Sequence, residues 1–142
     1  MRSELVAWAA GFFEGEGCFY AHKGRPRKDG TYRITFQASL SQKGDNGEQL
    51  LRKFAEIVGC GLIYHTRGPK DMWIWKADNR ADAVSVLHTL KSWLSPRRIK
   101  RAYEIMEAES RQTDQRGAAN RRRAVAPYEN QKAHDNGDVY LD

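Results

Sequence analysis

From Arg33 to Leu40 the chain alternates strictly: Ile34, Phe36, Ala38 and Leu40 are apolar, and Arg33, Thr35, Gln37 and Ser39 are polar. Period-two alternation predicts a strand with one face on a core and the other toward water or a ligand. Before it, Ser3 leads into an apolar-rich run that predicts a capped helix over 4–14, ended by Gly15 and Gly17. Cys18 to Lys23 reads as a short strand, and Gly24 to Gly30, with three basic side chains, as an exposed hairpin loop. Asp45 or Asn46 caps a second helix to Val58, with Leu50, Leu51, Phe54 and Ile57 on one stripe. Residues 62–66 and 72–77 read as strands joined by the turn Arg67-Gly68-Pro69-Lys70. Trp73 and Trp75 share one face of the second of these and are read as core, with Ile74 and Lys76 on the other. A third helix starts at Asp78 or Asn79 and runs to Leu94, and Ser95-Pro96 opens a fourth. The order αββαββα(α) predicts an α+β domain, one four-stranded antiparallel sheet with helices on one face.

Past residue 110 the pattern fades. Gln112 to Asn120 is polar, Arg121-Arg122-Arg123 is a basic run, and 111–142 reads as a flexible tail behind a folded domain at 1–110. Composition adds a direction to this frame. The formal charge is +6, and residues 1–110 hold 18 basic against 13 acidic side chains, so the positive balance lies mainly in the folded part. Such a balance favours polyanionic partners without naming one. Cys18 and Cys60 supply neither a disulfide framework nor a zinc site, and His22, His65, His88 and His134 are not at metal-site spacing. The N-terminus lacks a secretory pattern and no run is apolar enough for a membrane span, so the expected place is intracellular. Cytoplasm or nucleoid fits, or an organelle in a eukaryotic host, with no membrane partner.

The first helix carries the candidate chemistry. Ala7, Gly11 and Gly15 fall four apart and form a side-chain-poor stripe that would let a second helix approach closely. Leu5, Trp8 and Phe12 lie on another stripe and are expected to anchor the helix to its own core. Glu14 and Glu16 stand at the C-terminal end, where the macrodipole disfavours anions, which suggests charge kept for chemistry. On spacing alone the plainer reading, two solvated acids beside a loop, stands.

Ala9-Ala10-Gly11-Phe12-Phe13-Glu14-Gly15-Glu16-Gly17 resembles the LAGLIDADG motif of homing endonucleases, and the element order through Ser110 resembles that family's core. Ala9 stands for the first leucine, phenylalanines for leucine and isoleucine, and glutamates for both acids. The resemblance implies a site-specific, metal-dependent DNA endonuclease. With one motif visible, it implies a homodimer on double-stranded DNA, packed through Ala7, Gly11 and Gly15. Glu16 and the backbone carbonyl of Gly15 would hold Mg²⁺ or Mn²⁺. Gln42 would order water near the metal. Arg97, with Arg98 as the neighbouring alternative, would lie close to the scissile phosphate. Tyr20, His22, Arg33, Thr35, Gln37, Ser39, Tyr64 and Lys76 would read base edges in the major groove, and Lys23, Arg25, Arg27 and Lys28 would grip phosphates. Some relatives are intron maturases, so intron RNA is the alternative partner, and a cleavage-inactive DNA-binding relative is the other reading.

Overall fold

The computed structural model describes residues 2–66 and 68–122, with side chains to Gln112. The elements are α1 (Arg2–Glu16), β1 (Gly17–Lys23), β2 (Ile34–Lys43), α2 (Gly44–Val58), β3 (Leu62–Thr66), β4 (Met72–Ala77), α3 (Arg80–Leu90), a 3₁₀ turn (Lys91–Trp93) and α4 (Pro96–Arg122). The four strands form one antiparallel sheet in the order β1-β2-β4-β3. This is the α+β architecture that the alternation predicts.

Parity along the strands divides the sheet. Phe19, Phe36, Ala38, Leu40, Trp75 and Ala77 share the face that packs on the helices, and all are buried. Phe54 of α2 joins that layer, 4.8 Å from the Trp75 ring and 6.1 Å from that of Phe13. Burying aromatic rings in mutual contact is the largest apolar contribution available to a domain this small. Gly61 lets Trp75 into the layer: its φ is +93°, and a Cβ there would come within 2.2 Å of the indole nitrogen, which donates to the Cys60 carbonyl at 3.0 Å. Trp73 is only half-buried and stacks on His65, with ring centroids 4.0 Å apart, so of the two tryptophans only Trp75 is enclosed core.

The helix boundaries follow local chemistry. Asn79 caps α3 by accepting from the Asp82 N–H at 2.9 Å, and α2 ends where Gly59 turns left-handed at φ 75°. Two expectations change. On α1 the inward residues are Ala9, Ala10 and Phe13, all fully buried; Trp8 and Phe12 flank them, while Leu5 is 44% exposed and anchors nothing. The folded unit also does not stop at residue 110, because α4 continues to Arg122. Residues 123–142, which include Arg123 of the basic run and most of the expected tail, lie outside the described residues.

The reason α4 continues is an open strand edge. β4 pairs with β2 only from Ala38 onward, so the amides of Ile34 and Phe36 have no strand partner on that side. Side chains of α4 take its place. Glu109 accepts from the Phe36 N–H at 2.9 Å and pairs with Arg80 at 2.6 Å. Gln112 accepts from the Ile34 N–H at 2.8 Å and donates to the Tyr32 carbonyl at 3.1 Å. Buried amides demand partners, and an uncovered edge invites aggregation. Glu109→Ala leaves the Phe36 amide without an acceptor, which costs about 1–3 kcal/mol. The expected result is a lower urea midpoint with an unchanged m value; an unchanged midpoint would show that water serves this edge equally well.

Candidate nuclease site at the end of the first helix

No loop separates α1 from β1: Glu16 ends the helix and Gly17 begins the strand. The junction is tight because the Phe13 ring lies where a Gly17 side chain would be, within 2.4 Å of a Cβ built there. The N-terminus of α4 then closes over it. Glu14 accepts from the Ser95 N–H at 2.7 Å, the Ser95 hydroxyl at 3.2 Å and Arg98 Nε at 2.8 Å. Arg98 also donates to the carbonyls of Glu14, at 2.8 Å, and Gly17, with its guanidinium 5.8 Å from the Phe13 ring centroid. Glu14 is therefore not an acid held in reserve for chemistry. Its carboxylate, unfavourable at the end of its own helix, sits at the positive end of α4. Burial would raise its pKa, but the Ser95 amide, the Arg98 guanidinium and the Ser95 hydroxyl outweigh that and hold it below the usual 4.5.

Glu16 has the opposite surroundings. It is exposed, and among the described residues it makes no hydrogen bond or ion pair. Gly11 and Gly15 are exposed on the side of α1 away from the sheet, with no atom within 4 Å of a Cβ built on either; Ala7 is half-buried beside them. The Glu16 carboxylate and the Gly15 carbonyl are hard oxygen donors of the kind that suits Mg²⁺ or Mn²⁺. Among the described residues no group of three or more His, Cys, Asp and Glu side chains could hold a metal.

The arginine pair on α4 separates cleanly. Arg98 is engaged by Glu14 and the two carbonyls. Arg97 is exposed and, with Arg98, Arg101, Cys18 and Phe19, lines a cavity of about 370 Å³. Gln42 stands inside β2, on the helix-facing side with Ala38 and Leu40, half-buried against Gly47 of α2. It lies two residues past Leu40, the strand partner of Gly17, and so at the same end of the sheet as the α1–β1 junction.

The opposite, helix-free face carries most of the predicted reading residues, but two of them are enclosed. Gln37 is fully buried: it accepts from the Tyr20 hydroxyl at 2.8 Å and donates to the Asp78 carbonyl at 2.9 Å. Lys76 is 8% exposed, with its ammonium 6.0 Å from the Tyr20 ring centroid. Tyr64 donates to Asp78 at 3.1 Å. Burial, then the charge of Asp78, raises the Tyr64 pKa; burial, then the charges of Cys18 and Asp78, raises that of Tyr20. Four of the predicted readers thus form a satisfied network rather than separate donors and acceptors. His22, Thr35 and Ser39 are half-buried on this face, and Arg33 is exposed just before β2. In the β1–β2 loop Arg25 and Lys28 are exposed, and Lys23 lies over the Tyr32 ring at 4.8 Å. Arg27 is half-buried in the loop, its amide donating to the Thr31 carbonyl at 2.7 Å and its guanidinium to the Thr31 hydroxyl at 3.5 Å.

A model of the LAGLIDADG endonuclease family matches residues 9–93, more than half of the chain. The chain belongs to the LAGLIDADG endonuclease family. Solved structures agree on the fold. I-CvuI, a homing endonuclease solved with its target in the presence of Ca, superposes with a TM-score of 0.64 at 21% identity, over 77% of this chain and 68% of its own. The group I intron-encoded homing endonuclease I-CeuI, complexed with DNA, gives 0.66 at 22% over 79% and 56%. The homing endonuclease I-TnaI gives 0.59 at 23% over 72% and 69%. No curated protein matches. Among the described residues no helix is long and apolar enough to cross a membrane.

In this LAGLIDADG chain two residues near the site and one pairing escape a reading of the motif alone. Ser41 continues the polar parity of Ser39, a signal the alternation itself contains. Arg101 repeats Arg97 one turn later, where residues four apart share a helix face. The Glu14–Arg98 pair spans 84 positions and has no local signal. That pair has a pH signature. Because the folded-state pKa of Glu14 is lowered, its stabilisation is present above the unfolded value and is lost as pH falls through the folded one. Glu14→Gln is therefore expected to melt below wild type at neutral pH, with the gap closing below pH 4.5; a constant gap across that range would remove the ionised pair from the stability of this junction.

Proposed function

We propose that the chain is a site-specific double-strand DNA endonuclease that works as a homodimer on a long pseudo-palindromic site and hydrolyses phosphodiesters with Mg²⁺ or Mn²⁺ held at Glu16. The observation that carries this reading is an exposed, unpartnered glutamate at the end of a helix whose outward side is bare glycine. A helix with one packed side and one bare side suits a twin packed about a two-fold axis, and such a pairing brings the two Glu16 carboxylates together. Two carboxylates at close range repel unless cations lie between them. The twin thus supplies the oxygens that one protomer lacks. I-CvuI and I-CeuI, described with target and with DNA, support the choice of duplex as substrate.

The roles follow from position. Glu16 and the Gly15 carbonyl would hold a cation, which when bound supplies positive charge against the phosphoryl and leaving oxygens. Arg97 and Arg101 offer the cavity beside Cys18 positive charge that meets no carboxylate within 4 Å among the described residues, a cradle for a backbone phosphate. Gln42 is placed to orient water from the helix side of the sheet. Arg33, His22, Thr35 and Ser39 face the duplex from the helix-free side, and Arg25 and Lys28 reach its phosphates from the loop.

Purified protein with Mg²⁺ and DNA carrying the uninterrupted host locus is expected to cut both strands, while Glu16→Gln binds the duplex without cutting. Equal cutting by the variant would take Glu16 out of the reaction; tight intron RNA binding without cutting would select the maturase reading. The dimer has its own test. Gly11→Leu adds a side chain where the protomer has open space, so the protomer's own fold is expected to gain up to about 1 kcal/mol of helix propensity, and at concentrations where the wild type dimerises the loss of that association offsets the gain. Sedimentation velocity is expected to show a monomer. A Gly11→Leu dimer as tight as wild type would place the interface elsewhere.

A further inference from the structure

Arg98 makes more contacts than an ion pair with Glu14 requires. Its Nε meets the Glu14 carboxylate at 2.8 Å, its Nη2 the Glu14 carbonyl at 2.8 Å, and its Nη1 the Gly17 carbonyl. The two carbonyls lie on either side of Glu16 in sequence. One rigid guanidinium therefore spans the turn on which Glu16 sits, from the last turn of α1 to the first residue of β1, over the ring of Phe13. Phe13 in turn fills the space above Gly17. Two of the three donors act on the backbone on either side of Glu16, the third acts on the Glu14 side chain, and none engages the Glu16 carboxylate.

We propose that Arg98 is a positioning residue for the cation site: by tying the carbonyls on either side of Glu16 to the N-terminus of α4, it fixes where the Glu16 carboxylate is presented and so sets the affinity for the divalent ion. The inference rests on the reading of Glu16 as a cation ligand. It differs from the expected part of a basic residue at this place in the chain, which would act on phosphate. The guanidinium is suited to the task because its donors form a planar fork that reaches several acceptors in one fixed orientation; an ammonium of equal charge has no such fork. Groups that orient a metal ligand without touching the metal commonly shift affinity by about 10–100-fold.

The test separates geometry from charge and from stability. Mn²⁺ alone is titrated into the full chain, with unbound ion read by electron paramagnetic resonance, and Glu16→Gln defines the binding that depends on that carboxylate. Arg98→Lys keeps the charge beside Glu14 and loses the fork. It is expected to weaken the Glu16-dependent Mn²⁺ binding about 10-fold or more, with the salt dependence of binding to a mixed-sequence duplex unchanged. Unchanged Mn²⁺ affinity in a folded Arg98→Lys protein would overturn the proposal and leave the Glu16 reading intact; a flatter salt dependence of duplex binding in Arg98→Gln, which removes the charge, would show that Arg98 contacts phosphate, and would overturn it too. Absence of any Glu16-dependent Mn²⁺ binding in the wild type would overturn the reading and the proposal together. Should Arg98→Lys not fold, Ser95→Ala removes the hydroxyl bond to Glu14 and the long cap bond from the Arg98 N–H at 3.4 Å, and leaves every bond of the Arg98 guanidinium in place. Weaker Mn²⁺ binding by that variant at an unchanged melting temperature supports the clasp, and unchanged binding counts against it.

Discussion

The structure turns on the abutment of two helix ends. The C-terminus of α1 exposes carbonyls that α1 itself cannot satisfy, and the N-terminus of α4 exposes amides in the same condition. Glu14 and Arg98 solve both problems at once, since the acid caps α4 and the guanidinium caps α1. Because β1 starts at the residue after α1 ends, the direction of the first strand is set at the same junction. The sheet, its register and the side on which the helices lie all follow from that direction.

At its far end α4 performs a second, unrelated task. Glu109 and Gln112 stand in for a strand that β4 is too short to provide, covering the amides of Phe36 and Ile34. One helix thus holds the α1–β1 junction near its start and an open strand edge about four turns later. The expectation of a domain ending at 110 missed this because the evidence for the extension is long-range. A polar residue such as Gln112 looks like tail composition until its amide partner, 78 positions earlier in the chain, is known.

What sequence reveals here is periodicity, and what it hides is partnership. The alternation around Phe36 gave strand, faces and core, and the small-residue spacing of α1 gave its bare side. The same alternation assigned Gln37 to an open polar face, yet Tyr20 and the Asp78 carbonyl enclose its amide completely. Parity states which side a residue is on, not whether a neighbour covers it. Parity also places Gln42 with Leu40 on the helix side. For Arg97 and Arg98 the residue types are identical, and only the position of Glu14 in space distinguishes the exposed one from the engaged one.

The spacing of the two acids explains their different fates. Residues two apart on an α-helix are rotated by about 200°, so they cannot share a face. If one faces the molecule, the other faces away. Glu14 faces α4 and is neutralised there, while Glu16, the last residue of the helix, is exposed. A spacing of three or four would have put both carboxylates on one side, where they would either repel each other against α4 or both remain in solvent with nothing holding the helix end. The glycine between them keeps the outward side bare. A spacing of two is therefore the arrangement that lets one acid fasten the helix end while leaving the other exposed and unpaired among the described residues.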